Sequence, residues 1–211
     1  MSQGRHIVVG PLGKWDHGVV VDRTSGVPAF VRPSAAIRRI APSRLSREAR
    51  ERNRGAFLAD AAAGGFEAST SAEIRFEPAG ARVAGHLAVD EGTEVTVRDR
   101  VMRADGVVVQ LAVSRLPREL TRDTAIENVD TGPGGTYARL EEAGHEIGSF
   151  AEHVGARMPT PAEATRLQLS DGVAVITVTR IAYAVGGTPL EMNDMVLAAD
   201  RYELSYEWPA G

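Results

Sequence analysis

Residues 160–197 read TPAEATRLQLSDGVAVITVTRIAYAVGGTPLEMNDMVL, and the order of signals within them sets the architecture. Thr160-Pro161-Ala162-Glu163 is a capping box with proline at the first helical position, so a helix begins there. That helix ends at Leu167, an Asp171-Gly172 turn follows, and an apolar strand over Val173–Tyr183 carries Arg180. Val185-Gly186-Gly187-Thr188 is a hairpin signal leading into a second strand, Pro189–Leu197. The same order occurs 80 residues earlier, in ARVAGHLAVDEGTEVTVRDRVMRADGVVVQLAVSRL at 81–116. The offset places Ala84 on Ala164, Leu87 on Leu167, Gly92 on Gly172, Val95 on Val175, Arg100 on Arg180 and Gly106 on Gly186. The first-half strands are therefore Val95–Arg103 and Val107–Leu116, turning at Ala104-Asp105-Gly106. At least four strands result, and pairing them in one antiparallel sheet buries both apolar faces against the helices. The expected fold is α+β, an antiparallel sheet with helices built from two repeated halves.

Between the halves lies Asp130-Thr131-Gly132-Pro133-Gly134-Gly135, then a helix from Thr136 to about Ala143 closed by Gly144. A strand continues from His145 through Val154 to Arg157. Towards the N-terminus, residues 35–65 are rich in Arg and Ala, with helical propensity from Ser46 to Ala63 and a stop at Gly64-Gly65. Leu45, Ala49, Ala56 and Phe57 give that helix only a thin apolar stripe, so it needs a partner surface. Gly18–Arg32 reads as a β-hairpin turning at Thr24-Ser25-Gly26.

Composition narrows the function classes. The chain of 211 residues is 43% hydrophobic and 25% charged, ordinary values for one globular core with an appended arm. No apolar run is long enough to span a bilayer, and the start carries no secretory pattern, which points to the cytoplasm. With no cysteine there is no disulfide framework, thiolate nucleophile or cysteine metal site. The five histidines lack metal-ligand spacing, and no Gly-x-Ser-x-Gly elbow is present, so neither a metal nor a cofactor is expected. Charge is divided unevenly: residues 1–54 hold eleven basic side chains against four acidic ones, while the remainder is strongly acidic. A basic arm on an acidic body suits contact with a polyanion or an acidic partner surface; the plain alternative is a solvated arm.

The ordered motifs resemble the effector domain, called UTRA, of HutC-type GntR regulators. The stretches that carry the resemblance are Gly135–Gly144, Ala156–Pro159, Glu163–Leu167, Thr188–Met195 and Asp200–Tyr206. In the first half they are Gly92, Val95, Arg100, Arg103–Gly106 and Ser114–Pro117. Coverage runs over roughly 43–208, and each motif is weak alone but the series is ordered. The resemblance implies the antiparallel fold shared with chorismate lyase, a small-molecule pocket and a homodimer. It also divides the chain into a basic arm with a wing-like hairpin at 1–42 and an effector-binding domain at 43–211. Such regulators place a winged helix-turn-helix of about 70 residues ahead of this domain. Here Gly18–Arg32 is similar to the wing, while the major-groove helices have no counterpart. The expectation is weak or absent DNA contact, with a truncated relative, a misplaced gene start or a stand-alone sensor all open.

Candidate site residues follow from both readings. Arg100 and Arg180 hold equivalent strand positions, and a guanidinium grips a carboxylate or phosphate with two parallel hydrogen bonds; the alternative is an exposed strand arginine. The loop Thr131, Gly132, Gly134, Gly135 opens a helix, where free amides and the dipole favour an anion, unless it is a plain turn. Tyr137 on the first turn either meets the ligand or packs in the core. By resemblance, Arg100 and Ser114 match pocket positions, and Glu191 matches a carboxylate that bonds effector hydroxyls or amines. Asn193 shares the face of Glu191, while Asp194 takes the other face. Met102, Ala112, Gly135 and Leu197 stand where sugar-phosphate sensors of the family carry arginine, glutamate, serine and tyrosine, so the pocket is less polar and a sugar phosphate is disfavoured.

Three functions compete: an effector-binding and dimerising regulator domain for a small anionic effector, a chorismate-lyase-like enzyme, and a partner in mixed dimers with a full-length regulator. The enzyme reading needs a charged pair converging on substrate, and Arg100 with Glu191 is the pair available.

Overall fold

The computed structural model describes residues 19–21, 28–30, 36–40, 45–48 and 55–207. Strands β1 (Val19–Val21) and β2 (Pro28–Phe30) pair antiparallel with Val20 opposite Ala29, so the expected hairpin is present. Its turn at Thr24–Gly26, and most of the basic arm, lie outside the described residues.

Strand β3 (Ile37–Ile40) precedes helix α1 (Ala56–Gly64), strand β4 (Ala68–Pro78) and helix α2 (Ala81–Leu87). Strands β5 (Glu94–Ala104) and β6 (Val107–Pro117) form the first repeat hairpin. Two short 3₁₀ turns lead to helix α3 (Gly135–Glu142) and strand β7 (Ile147–Arg157). The second repeat supplies helix α4 (Pro161–Leu167), strands β8 (Val175–Ala184) and β9 (Pro189–Ala198), and β10 (Tyr202–Ser205) follows.

The main sheet has six antiparallel strands in the order β4-β5-β6-β9-β8-β7. Each half contributes three, and the halves meet where β6 pairs β9, with Val113 opposite Asp194. The repeat extends to the backbone: Ala88 and Gln168, each just past its helix, share φ 53°, and Gly92 and Gly172 have φ 86° and 81°. The hairpins differ. Asp105-Gly106 turns with φ 49° and 81°, the two-residue turn that suits strand twist. The second loop is longer, and its positive-φ residue is Gly187, one position beyond the expected Gly186.

Helices α2 and α4 cover one face. Ala84 and Leu87 pack on Val95, Val97, Ile181 and Met192, and Leu167 packs on Val108, Leu111 and Val175. Enclosing a leucine such as Leu167, 0% exposed, contributes about 1.5–3 kcal/mol. On the opposite face Phe57 and Ala61 of α1 join Met102, Met195 and Leu197, while Leu140 of α3 joins Leu116, Ile126 and Leu190.

One expectation needs correction, and two features were not foreseen. The helix expected over Ser46–Ala63 is interrupted, because Gly55 is extended at φ −61°, ψ 155° and α1 begins after it. Glycine is a poor helix interior residue, and this one lies against Gly135. Gly65 closes α1 at φ 65°, as the glycine pair suggested. Strand β4 was not anticipated, although the 80-residue offset maps it onto β7. Parallel pairing of β3 with β10, Ile37 opposite Tyr202, was also unforeseen. Among the described residues no helix is long and apolar enough to cross a membrane.

Candidate functional site

A cavity of about 680 Å³ opens on the sheet face opposite α2 and α4, between the strands, the start of α1 and the loop before α3. Strand alternation aims Arg98, Arg100 and Met102 of β5, Gln110 of β6, Arg180 of β8, and Glu191, Asn193 and Met195 of β9 at this face. The loop Thr131–Gly135 forms one wall, with Phe57 and Leu58 of α1 across from it. All the candidate residues except Ser114 therefore line one cavity.

The three arginines have different tasks. Arg98, 3% exposed, donates through Nη1 to the carbonyls of Ile126 and Asn128 (the latter at 2.5 Å) and through Nη2 to that of Val129 at 3.1 Å. It ties down the chain entering the glycine loop. Burial and the neighbouring Arg100 charge hold it down at about 10. Arg180 donates from Nε and Nη2 to Glu152 Oε1 at 2.8 and 2.6 Å. Burial opposes its charge, but Tyr137 and Glu152 more than offset this and raise its pKa. Arg100 alone of the three has neither a carboxylate partner nor carbonyl ligands. Its Nη2 donates to Ser114 Oγ, and its buried Nε has no partner. Burial lowers its pKa from the usual arginine value, with Glu191 pulling the other way.

Ser114 is fully enclosed and absent from the cavity lining. Its hydroxyl accepts from Arg100 Nη2, so the serine expected in the pocket stands next to a lining residue and not in the lining itself.

Glu191, 1% exposed, accepts from the Tyr137 hydroxyl at 2.5 Å and, among the described residues, has no cation in salt-bridge reach. Burial first, then the Glu191 charge, pushes the Tyr137 hydroxyl well above its ordinary pKa, so it stays a donor. Asn193, 5% exposed, presents an Oδ1 with no partner. Asp194 faces away, as alternation requires, bound by Arg82 at 2.7 and 2.8 Å and by Arg115 at 3.2 Å.

The glycine wall is shaped by backbone angles that L residues avoid: φ is 73°, 81° and 72° at Gly132, Gly134 and Gly135. Asp130 Oδ1 accepts from the Gly132 amide at 2.8 Å and fixes the entry to this turn. Gly134 is the residue just before α3, and Gly134, Gly135, Thr136 and Tyr137 line the cavity, with the Gly135 amide donating to the Gly132 carbonyl at 3.3 Å.

Sequence reasoning missed Arg98 and Gln110. Arg98 carried a signal, two residues before Arg100 on the same strand; Gln110 did not, since the 80-residue offset puts it on Leu190 and it is equivalent to Glu191 only in the folded sheet. Met102 stands opposite Gln110 and Ala182 opposite Glu191, 80 residues apart. Gln110 Nε2 donates to Met102 Sδ at 2.9 Å, so the methionine noted as a departure is part of the polar floor. Among the described residues no cluster of histidine and carboxylate side chains could hold a metal.

The sequence matches the UTRA domain family over residues 66–203. An uncharacterized HTH-type transcriptional regulator of Streptomyces coelicolor is 30% identical over 199 residues, covering 90% of this chain and 73% of the relative. PhnF from Mycobacterium smegmatis is similar in structure at TM-score 0.71 and 22% identity, over 90% of this chain and 78% of that one. The C-terminal domain of the histidine utilization repressor from Pseudomonas syringae pv. tomato gives TM-score 0.58 at 19% identity, over 67% of this chain and 99% of that one. At these identities the two solved structures share the fold.

Proposed function

Since the chain belongs to the UTRA family, the effector-binding domain of GntR-family transcription regulators, we propose that its cavity binds a small anionic effector through Arg100. The observation that carries this is a guanidinium opening on the cavity, its Nε buried without a partner and, among the described residues, with no carboxylate in salt-bridge reach. A buried cation left unpaired is costly, and an anion placed against it removes that cost. The Gly135 amide already donates to the Gly132 carbonyl at 3.3 Å, so help from the start of α3 would come from the amides after it. We assign this role to the unit at residues 43–211, with 1–42 as its arm. The relatives are transcription regulators, which favours a sensing role over the lyase-like enzyme.

Arg100→Ala tests the reading. Calorimetric titration with an anion that co-purifies with the wild type should show a loss of about 1.5–3 kcal/mol, the scale of a hydrogen bond to a charged group. Unchanged affinity in a folded variant would move the anion site elsewhere.

A further inference from the structure

We infer that Arg180 has two seats, and that its place in one or the other links the cavity to strand β3. The outer seat, on Glu152, is the one taken in this structure. The inner seat is made by Glu191 and Asn193.

The sheet register sets Arg180 between two carboxylates on one face. Towards the edge of the sheet, Glu152 of β7 stands directly opposite it. On the other side Asn193 of β9 is opposite, and Glu191, which faces Ala182, is the diagonal neighbour. Diagonal cross-strand neighbours lie within reach of long side chains. The two carboxylates are unequally supplied. Glu152 Oε1 takes one N–H bond from Arg39 and two from Arg180, and its Oε2 takes the Tyr206 hydroxyl. Among the described residues Glu191 has the Tyr137 hydroxyl on Oε2 and no cation in salt-bridge reach. Beside it, Asn193 Oδ1 is buried without a donor. A guanidinium is a fork of five N–H donors with no acceptor, so an inward swing of Arg180 meets two waiting acceptors. It also turns one carboxylate shared by two cations, and one touched by none, into two single pairs.

Two groups hold Arg180 outside. The Tyr137 hydroxyl stands between the seats. It donates to Glu191 at 2.5 Å, and against the burial that disfavours the Arg180 charge it is the first support, ahead of Glu152. Its ring is braced on Phe150, centroids 5.2 Å apart, and the Arg180 guanidinium lies 5.8 Å over the same Phe150 ring. The second group is Arg100, whose charge, already disfavoured by burial, is further opposed by that of Arg180. Removing the Arg100 charge, or neutralising it with an anion, therefore favours the inner seat. The anion's part in this rests on the site proposed above; the two seats do not.

The consequence falls on β3. Arg39 and Arg180 each place a guanidinium nitrogen 2.6 Å from the same oxygen, and both are nearly sealed from water. When Arg180 turns inward, Arg39 keeps Glu152 without a competing cation, and β3 is held more firmly. The cavity and β3 are thus coupled through one side chain with two arrangements.

Hydrogen exchange of the full chain tests this, read at the Ile37 amide, which donates to the Arg201 carbonyl at 2.8 Å. Arg100→Met, which removes the repelling charge, should slow Ile37 exchange by about fivefold, with amides of β6 and β9 as the reference. Tyr137→Phe, which clears the space between the seats, should act in the same direction. Adding Glu191→Gln to either variant should return Ile37 to the wild-type rate, because the inner seat has lost its charge. In an Arg180→Met background neither change should move Ile37. A crystal structure of Arg100→Met should show the Arg180 guanidinium on Glu191 and Asn193; Arg180 still on Glu152 would overturn the inner seat. Ile37 exchange unchanged in both single variants, or slowing that survives Glu191→Gln or Arg180→Met, would overturn the coupling. None of these readings uses a ligand, so failure of the anion site in calorimetry is a separate result.

Discussion

Ser114 illustrates how a side chain can matter to a pocket it does not touch. Among the described residues its hydroxyl is the one side-chain partner of Arg100, and the residue is 0% exposed. Ser114→Ala should cost about 1–3 kcal/mol of stability, since the guanidinium loses its acceptor in an enclosed place. It should also weaken binding of an anion, but less than Arg100→Ala, because the charge remains. Urea unfolding with parallel titration checks both; a variant as stable as wild type with normal affinity would show that Arg100 holds its place without Ser114. At this scale the sequence was legible where a residue type is rare for its place. A strand arginine repeated at 100 and 180, and a glycine run before a helix, announce themselves. Ser114 did not, because sequence places a residue on a strand face without showing what stands in front of it. Arg98 was recoverable from alternation, but Gln110 was not, because the 80-residue offset puts it on Leu190 and only the longer second hairpin loop brings it level with Glu191.

Helix α4 shows what the sequence states most clearly about an element. The capping box read from Thr160–Glu163 forms as expected, with the Thr160 amide donating to Glu163 Oε2 at 2.8 Å and the Glu163 amide donating to Thr160 Oγ1 at 3.3 Å. Arg157 adds two bonds to Glu163, both 2.7 Å. The Arg157 bonds, then the Thr160 amide, outweigh burial and hold Glu163 at about 2, below its ordinary 4.5. A depressed carboxyl stabilises the fold above its unfolded pKa, and that contribution is lost as pH falls from about 4.5 towards about 2. Glu163→Gln should therefore be less stable than wild type near neutral pH, by about 1 kcal/mol once the exposure of Arg157 is allowed for. The gap should close on acidification in urea titrations across this range; a gap independent of pH would mean that the charge contributes nothing. Other elements were harder to read. Strand β4 opens with Ala68-Ser69-Thr70-Ser71, too polar for an alternation signal, and its place at the sheet edge explains why. Gly55 looked like one weak position inside a helix, yet its approach to Gly135, far along the chain, makes it a boundary.

The whole molecule is held together at a point no local pattern marks. Glu152 on edge strand β7 accepts from Arg180 on β8 and, at 2.6 Å, from Arg39 on β3; Tyr206, beyond β10, donates to its other oxygen at 2.9 Å. One carboxylate thus joins β3, the sheet edge, the cavity arginine and the end of the described chain. Both guanidiniums are nearly sealed, at 1% and 3% exposure. Burial alone would raise the Glu152 pKa, but Arg180 and Arg39 bring it below the ordinary value. Removing the shared anion leaves two enclosed cations facing each other, and losing one member of such a buried cluster costs about 3–5 kcal/mol. Glu152→Ala should therefore be among the most destabilising single changes outside the apolar core. Its effect should be uneven, because β3 is held by parallel pairing to β10 and by the Ile37 amide bond to the Arg201 carbonyl at 2.8 Å. With Arg39 repelled from the edge, that short strand should open first. Hydrogen exchange should show the Ile37 amide losing protection in Glu152→Ala while amides of β6 and β9, at the centre of the sheet, keep theirs. Arg39→Met, which removes one cation and leaves the Arg180–Glu152 pair intact, should cost less than Glu152→Ala in urea unfolding. Equal losses from both variants, or unchanged exchange at Ile37, would show that the segment is anchored by its apolar contacts and not by the shared carboxylate.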